Sequence, residues 1–163
     1  MVDIRPITAE DIAGFNAAVD AVAREKRFLG ATEGPPMAAS EEFVRTNLAK
    51  GNPQFVAIDG SRLVGWCDIV RIDRQPMYRH RGTLGMGLLQ GWRGRGIGRL
   101  LIETAIDAAH AVDMTRIELT VRCDNEPAIR LYEKVGFRRE GHHRGTDRID
   151  GVLYDTLSMA LLG

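Results

Sequence analysis

The chain has 163 residues, the length of one domain, and is long enough to bury a hydrophobic core. Its 22 Lys and Arg residues are balanced by 22 Asp and Glu residues, and this zero net charge argues against a general attraction to nucleic acid or to an anionic membrane. No stretch approaches the roughly 18 apolar residues that a membrane span requires, and the N-terminus lacks the apolar segment of a signal peptide. We therefore expect a single cytoplasmic domain over residues 1–163, with no nucleic-acid or membrane partner.

The first third of the sequence predicts one strand and two helices. The stretch "VDIRPI" is typical of a strand, and Thr8 followed by "AED" indicates a helix start, which predicts a helix over about residues 9–26. Glycines and a proline pair mark residues 28–37 as a loop. Ser40, followed by two glutamates, predicts the start of a second helix that runs to about Lys50.

The rest of the sequence alternates between strands and helices. Asp59 and Gly60 form a hairpin dipeptide between two apolar runs, and a third run, "TLGMGLL", leads into a glycine-rich turn. A helical pattern begins at Ile97, "RIELTVR" alternates as a half-covered strand, and "DNEPAIRLYEKVGF" is a short helix that Asn125 can cap. Two further strands meet at a turn that begins with Asp150. This order predicts an α/β (α+β) domain with a mixed central sheet of about seven strands, flanked by about four helices.

The glycine-rich turn "WRGRGIGR" is the most informative motif. A dinucleotide-binding fingerprint G-x-G-x-x-G counted from Gly94 requires a glycine at the position that Arg99 occupies. A P-loop requires Gly-Lys followed by Ser or Thr, but Gly96 is followed by Ile97. The spacing therefore excludes both nucleotide-binding motifs.

The same turn has the properties of an anion site. Glycines leave backbone N–H groups open at the start of a helix, where the helix dipole favours an anion. Arg93, Arg95 and Arg99 add positive charge at the same place. The alternative is a purely structural role, in which the glycines only turn a strand into a helix, and this role suits Gly94 alone better than the group. We predict that the turn binds a pyrophosphate.

Residues 93–98 resemble the R/Q-x-x-G-x-G/A loop of the GNAT superfamily of N-acetyltransferases, in which this turn holds the pyrophosphate of acyl-CoA. The strand before the turn and the block "RIELTVRCDNEPAIRLYEKVGFRREG" after it match the superfamily in order and spacing, so the resemblance covers about residues 83–141 strongly. The C-terminal "DGVLYDTLSMALL" is similar to the branch of amino-acid and ribosomal-protein N-terminal acetyltransferases. The resemblance implies the GNAT-like fold, acetyl-CoA as co-substrate, and donor binding by Leu88, Leu89, Arg93, Gly94, Arg95, Gly96, Ile97, Gly98, Arg99 and Asn125.

The resemblance also implies roles for individual residues. The backbone at Leu88 and Leu89 would pair with the pantetheine arm of CoA like an added strand and would polarise the thioester carbonyl. Asn125 would hydrogen-bond the arm, a role that is compatible with capping a helix. Tyr132 would protonate the departing sulfur, because a phenol with a pKa of about 10 is protonated at neutral pH. The alternative for Tyr132 is a place in the core.

The general base is less well defined by the sequence. Some relatives carry a glutamate on the strand before the CoA loop, but "TLGMGLLQ" contains no carboxylate. The candidates are Glu33, Asp68 and His80. Water-mediated deprotonation is a fourth option, because an α-amino group has a pKa of about 8 and a fraction of it is already neutral.

We therefore predict an acetyl-CoA-dependent N-acetyltransferase that moves an acetyl group directly to a primary amine in a ternary complex. An amino acid or another small molecule is the first choice of acceptor, and a protein N-terminus is the alternative. A non-catalytic acyl-CoA-binding module is an alternative of a different class. Cys123 leaves open a covalent route, and many relatives dimerise through their C-terminal strands, which leaves open a homodimer.

Other motifs have simpler interpretations. We predict no metal site, because His142 and His143 are consecutive in a strand and point to opposite faces. Cys67 and Cys123 lie in apolar strand patterns and are expected to pack rather than to form a disulfide. An arginine cluster is either a solvated turn or a docking patch for an acidic group. It consists of Arg71, Arg74, Arg79 and Arg81.

Overall fold

The predicted strands and helices are all present in the computed structural model, which describes residues 1–163. The seven strands are β1 (Val2–Pro6), β2 (Gln54–Asp59), β3 (Arg62–Arg71), β4 (Arg81–Leu88), β5 (Arg116–Arg122), β6 (Arg138–Ile149) and β7 (Val152–Leu162). The four helices are α1 (Ile12–Arg24), α2 (Met37–Lys50), α3 (Ile97–Ala111) and α4 (Glu126–Val135). The predicted α/β architecture is confirmed. None of the helices has both the length and the apolar character that crossing a membrane requires.

The strands form one mixed sheet with the order β1-β2-β3-β4-β5-β7-β6. Every neighbouring pair is antiparallel except β4 and β5, which are parallel and pair only from Arg81 to Thr83 on β4. β4 nevertheless stays paired with β3 as far as Leu88, and β5 stays paired with β7 as far as Arg122. The two central strands therefore diverge and leave a wedge-shaped opening between residues 84–88 and 119–122, which we call the gap.

Helices cover the two faces of the sheet unequally. On one face, the ring of Phe15 from α1 packs edge-on against Trp66 of β3, with ring centres 5.9 Å apart. On the other face, Gly65 of β3 lies against Leu101 of α3. Because successive strand residues point to opposite faces, these contacts define an α1 face and an α3 face. α4 packs beside α3 and so belongs to the α3 face.

One predicted helix start is wrong. α2 begins at Met37 rather than at Ser40, with Pro36 as the extended residue before it, at a φ of −55° and a ψ of 149°. Ser40 is instead buried in the first turn, where its hydroxyl accepts a hydrogen bond from Asn16 Nδ2 at 2.9 Å. The predicted helix start after Thr8 is confirmed, because Thr8 is the N-cap of a short 3-10 turn over Ala9–Asp11 that leads directly into α1 at Ile12.

Candidate active site

A cleft of about 340 Å³ occupies the gap between β4 and β5. Its walls come from both strands, the glycine turn, α4 and the region around the end of α1. Eight of the eleven predicted site residues line it, namely Leu88, Arg93, Gly94, Gly96, Gly98, Arg99, Asn125 and Tyr132. The other three do not: Leu89 and Ile97 are buried in the adjoining core, and Arg95 is exposed on the turn.

The glycine turn forms an open helix N-terminus at one end of the cleft. Gly94 and Gly96 have left-handed φ angles of 75° and 81°, and a Cβ at either position would meet no atom within 4 Å. Backbone conformation rather than crowding therefore requires glycine there. No side chain caps the N-terminus of α3, and its first turn contains no acidic residue. The first N–H groups of α3 are thus left for an anion, as the helix dipole favours.

The polar backbone groups of β4 alternate between its two edges. The His80 carbonyl accepts hydrogen bonds from the start of β5, whereas the Arg81 carbonyl accepts one from the residue after β3. By this alternation, Met86 and Leu88 direct their N–H and C=O groups toward the gap. Leu89 faces the opposite way, because its N–H donates to a carbonyl of β3 at 2.8 Å. Its backbone is therefore not available to a ligand in the gap.

Arg93 is held by the chain itself. Its Nε donates to the carbonyl oxygen of Leu88 at 3.0 Å, and its two terminal nitrogens donate to the carboxylate of Glu25 at 2.9 and 2.6 Å. These hydrogen bonds hold the pKa of Glu25 below its usual value. The guanidinium also lies 4.3 Å from the centre of the Phe28 ring. Arg93 therefore fastens the glycine turn to β4 and to the segment after α1.

The other two arginines of the turn are exposed. Arg99 lies in the first turn of α3, where its Nε donates to Glu103 at 2.8 Å, one turn further along the helix. Such an exposed ion pair is weak, so Arg99 can exchange this partner for an anion at little cost. Arg95 forms none of the ion pairs of the chain and is the freest positive charge beside the turn.

Tyr132 lies on α4 and points its ring into the wall of the cleft, with 8% of its surface exposed. Burial, with a smaller contribution from the nearby Cys67, raises the pKa of its hydroxyl well above the usual value. The hydroxyl forms no hydrogen bond within the chain. Gln54 Nε2 is the one fully buried side-chain polar atom that lacks a hydrogen-bond partner, so the unpaired hydroxyl of Tyr132 is itself not fully buried. The hydroxyl is therefore protonated and open to the cleft.

Asn125 caps α4 and lines the cleft at the same time. Its Oδ1 accepts a hydrogen bond from the N–H of Ala128 at 3.4 Å. This cap uses only the oxygen of the side-chain amide, so both of its N–H donors remain for a ligand. The capping role is confirmed, and the binding role stays a prediction.

Asp68, one of the three predicted bases, lies on the strand next to β4 and does not itself line the cleft. It is located on β3 directly opposite Gly85 of β4, whose neighbour Met86 faces the gap. Asp68 is 7% exposed, and burial raises its pKa from 3.8 to about 7. Asp68 is two residues from Trp66 and so shares the α1 face with it, whereas Tyr132 approaches from the α3 face.

The two remaining candidate bases lie elsewhere. Glu33 is an exposed residue of the loop between α1 and α2, and its nearest positive charge is Arg24 at 3.9 Å. His80 is exposed just before β4, where its carbonyl pairs with β5 at the closed end of the gap. The structure does not bring either residue to the cleft.

The other sequence motifs do not converge on a second site. Cys67 is buried and Cys123 is partly exposed, both are free thiols, and burial raises the pKa of Cys123, which disfavours a thiolate nucleophile. In the arginine cluster, the Arg71 guanidinium binds backbone carbonyls and that of Arg81 binds Glu118. These two arginines are thus used within the chain.

Some residues of the cleft carry no signal in the sequence that would predict their position. Phe28 lies in a loop without periodicity, and Thr120 is on a strand position that only its exposure marks. Met86 could be predicted once the neighbouring strands are known, because the alternation along β4 directs the backbone groups of Met86 and Leu88 to the same edge. Glu25 carries no local signal, since it lies 68 residues from Arg93 in the sequence.

Comparison with known proteins identifies the family. Residues 20–137 match the acetyltransferase (GNAT) family. The chain is 33% identical to the N-alpha-acetyltransferase RimI of Mycobacterium tuberculosis over 151 residues, which is 92% of this chain and 90% of RimI. It is 32% identical to the L-amino acid N-acetyltransferase AaaT of Escherichia coli over 68% of each chain.

A solved structure shows the same fold. The acetyltransferase yncA of Salmonella typhimurium, whose structure contains its cofactor acetyl-CoA, superposes with a TM-score of 0.92 at 17% identity, covering 99% of this chain and 93% of yncA. The resemblance seen in the sequence is thereby confirmed. The chain belongs to the GNAT family of acetyltransferases and is an N-acetyltransferase.

Proposed function

We propose that the protein transfers the acetyl group of acetyl-CoA directly to an α-amino group. The observation that carries this proposal is the gap itself, a cleft between two diverging strands that ends at an uncapped helix N-terminus without acidic residues. A long ligand with an anionic middle fits this shape. The yncA structure, which has the same fold and contains acetyl-CoA, supports that choice of ligand.

The donor site follows from the open backbone groups. The N–H groups at Gly96, Ile97 and Gly98 receive the pyrophosphate, and Arg95 and Arg99 supply positive charge around it. The pantetheine arm runs along the free edge of β4, where Met86 and the N–H of Leu88 take the place of a strand pairing. The carbonyl of Leu88 is already bound by Arg93, so Met86 provides the free acceptor.

The chemistry requires two proton movements. The neutral amine nitrogen attacks the thioester carbon, and the carbonyl oxygen gains a negative charge that an N–H of β4 stabilises. The C–S bond then breaks as its electron pair moves to sulfur, and the nitrogen loses a proton that passes to the departing thiolate or to solvent. Tyr132 donates a hydrogen bond or its proton to that sulfur. Because burial raises the pKa of Tyr132 above that of a thiol, complete proton transfer is uphill, and its main effect is to stabilise the developing thiolate.

Asp68 is the base that the geometry favours. Its pKa of about 7 lies near neutral pH, which suits a group that must accept a proton from an ammonium ion. Its position on the α1 face, opposite that of Tyr132, suits an amine that attacks from one side while sulfur leaves on the other. Deprotonation through a water molecule is the alternative.

The acceptor class rests on the relatives. RimI is named as an N-alpha-acetyltransferase and AaaT as an L-amino acid N-acetyltransferase, so both names refer to an amino group on an α-carbon. A free L-amino acid is our first choice and a peptide N-terminus the second.

The direct test is release of free CoA thiol from acetyl-CoA with a matched set of acceptors. Each amino acid is assayed as the free acid, as its amide and as the first residue of a short peptide. Turnover of the free acids alone supports the first choice, and turnover of amides and peptides supports the second. CoA binding without acetylation of any amine would support the alternative of a non-catalytic acyl-CoA-binding module.

A further inference from the structure

The segment after α1, residues 25–28, crosses the mouth of the gap, and we call it the bridge. At one end it is fixed to β4 and the glycine turn. Glu25 forms the two-point ion pair with Arg93, and the Phe28 ring lies against the same guanidinium at 4.3 Å. Since Arg93 also binds the Leu88 carbonyl, one guanidinium joins the bridge to the last residue of β4.

The bridge is fixed to the other side of the gap by Arg122, the last residue of β5. One terminal nitrogen of Arg122 donates to the carbonyl oxygen of Lys26 at 2.7 Å, while Asp124 and the Tyr154 ring, 3.7 Å away, hold the rest of the guanidinium. Arg122 is 6% exposed. A buried arginine whose three nitrogens each donate a hydrogen bond and whose guanidinium lies over an aromatic ring is a rigid anchor, so the bridge is tied to both diverging strands.

A third contact reaches the final hairpin. Lys26 has a left-handed φ of 58°, and its ammonium lies 3.0 Å from the Asp150 carboxylate at the turn between β6 and β7. Both partners are exposed, so this pair is weak. It shows nevertheless that the bridge lies between the donor turn on one side and the C-terminal hairpin on the other.

We propose that Glu25 and Arg93 are positioning residues that couple occupancy of the donor turn to the order of the bridge, which contributes Phe28 to the wall of the cleft. This inference rests on the proposed function for the identity of the donor. A ligand that orders the glycine turn fixes Arg93, and Arg93 fixes Glu25 and Phe28 through the contacts above. By linkage, order in the bridge also favours order in the glycine turn.

Glu25→Gln is the informative change. It removes the charge of the carboxylate and one of its two acceptor oxygens but keeps the shape of the side chain, and it leaves the bond from Arg93 to Leu88 intact. Donor binding should therefore survive while the coupling is lost. Glu33→Gln is the matched control, because Glu33 lies in the same loop region but is exposed and does not line the cleft.

The experiment follows amide hydrogen exchange in a peptide that covers the bridge, with and without saturating CoA. In the wild-type protein and in Glu33→Gln, CoA should slow this exchange by at least about fivefold, and in Glu25→Gln by less than about twofold. Calorimetry should give a Kd for CoA within about threefold of wild type for both variants. Once an acceptor is known, Glu25→Gln should raise its KM by about fivefold or more with kcat nearly unchanged.

The outcomes separate the inference from the proposed function. Full slowing of exchange in Glu25→Gln, or CoA binding to the wild type without slowing, overturns the inference. If CoA slows hydrogen exchange in a way that depends on Glu25, but the protein acetylates no amine, the inference stands and the proposed function is wrong. If Glu25→Gln does not fold, Arg93→Lys keeps the positive charge but not the two-point geometry, and it should lose the same coupling.

Discussion

The Nε of Arg93 donates to the carbonyl of Leu88 at 3.0 Å, so the glycine turn folds back onto the strand that leads into it. An arginine at the start of a glycine-rich turn would ordinarily be assigned to a bound phosphate. Arg93 instead joins the glycine turn to the preceding strand, and the more exposed Arg95 is the better candidate for binding an anion.

Because Arg93 and Arg95 have different contacts, their substitution by glutamine should have different effects. Arg93→Gln breaks a half-buried, two-point ion pair and should lower the free energy of unfolding by about 1.5–3 kcal/mol. Arg95→Gln should leave the melting temperature unchanged and weaken CoA binding a few-fold, an effect that added salt reduces. Thermal melts and CoA titrations at two salt concentrations check both. Equal stability of the two variants would contradict the assignment.

Gly96→Ala should weaken both the fold and CoA binding. At a φ of 81° an alanine costs about 1 kcal/mol or more, and relief of that strain moves the N–H groups that face the anion. Gly91→Ala is the control, because Gly91 has no left-handed φ and equally open surroundings. Calorimetry should show weaker CoA binding for the first variant only.

Tyr132→Phe tests the acid. The change removes one hydroxyl from a buried ring, so kcat should fall by about 100-fold or more while the Kd for CoA stays close to wild type. Because burial raises the pKa of Tyr132, the activity of the wild type should show no loss from this group as the pH rises toward 9. An unchanged kcat would place Tyr132 in the core alone.

Asp68→Asn tests the base through stability as well as rate. The folded protein keeps the Asp68 proton up to about pH 7, whereas the unfolded chain loses it near 3.8. The folded state thus binds more protons between these values, and stability falls as the pH rises through this window, by at most about 4 kcal/mol in total. Asparagine cannot ionise, so the variant should lose this dependence.

The readouts for Asp68→Asn are melting temperatures at pH 5 and pH 8 and the pH profile of kcat/KM. The variant should melt higher than wild type at pH 8, and it should lack the rise in kcat/KM that wild type shows near pH 7. Asp107→Asn, an exposed change on α3, serves as the control. A rise near pH 7 that persists in Asp68→Asn would point to water-mediated deprotonation.

Local patterns in the sequence were sufficient for the elements and for the glycine-rich turn. Alternation in "RIELTVR" and the open helix start after the glycines each depend on a few residues, and both appear in the structure as expected. The start of α2 was missed because Pro36 and the buried contact of Ser40 with Asn16 outweighed a local cap.

Contacts between distant segments could not be predicted in the same way. The pairing of Glu25 with Arg93 depends on where α1 ends relative to β4, and nothing in either segment encodes it locally. The burial of Asp68, which raises its pKa, has the same origin, since it depends on the packing of the folded protein rather than on its neighbours in sequence.

The short pairing between β4 and β5 also has a mechanical consequence. Backbone hydrogen bonds join the two halves of the sheet only as far as Thr83, and further along the bridge crosses the opening through side-chain contacts with Arg93 and Arg122. Widening the opening therefore breaks side-chain contacts while the ladders within each half stay intact. The opening can therefore widen without the unfolding of any strand, and we expect a bulky donor to enter and leave the cleft by this route.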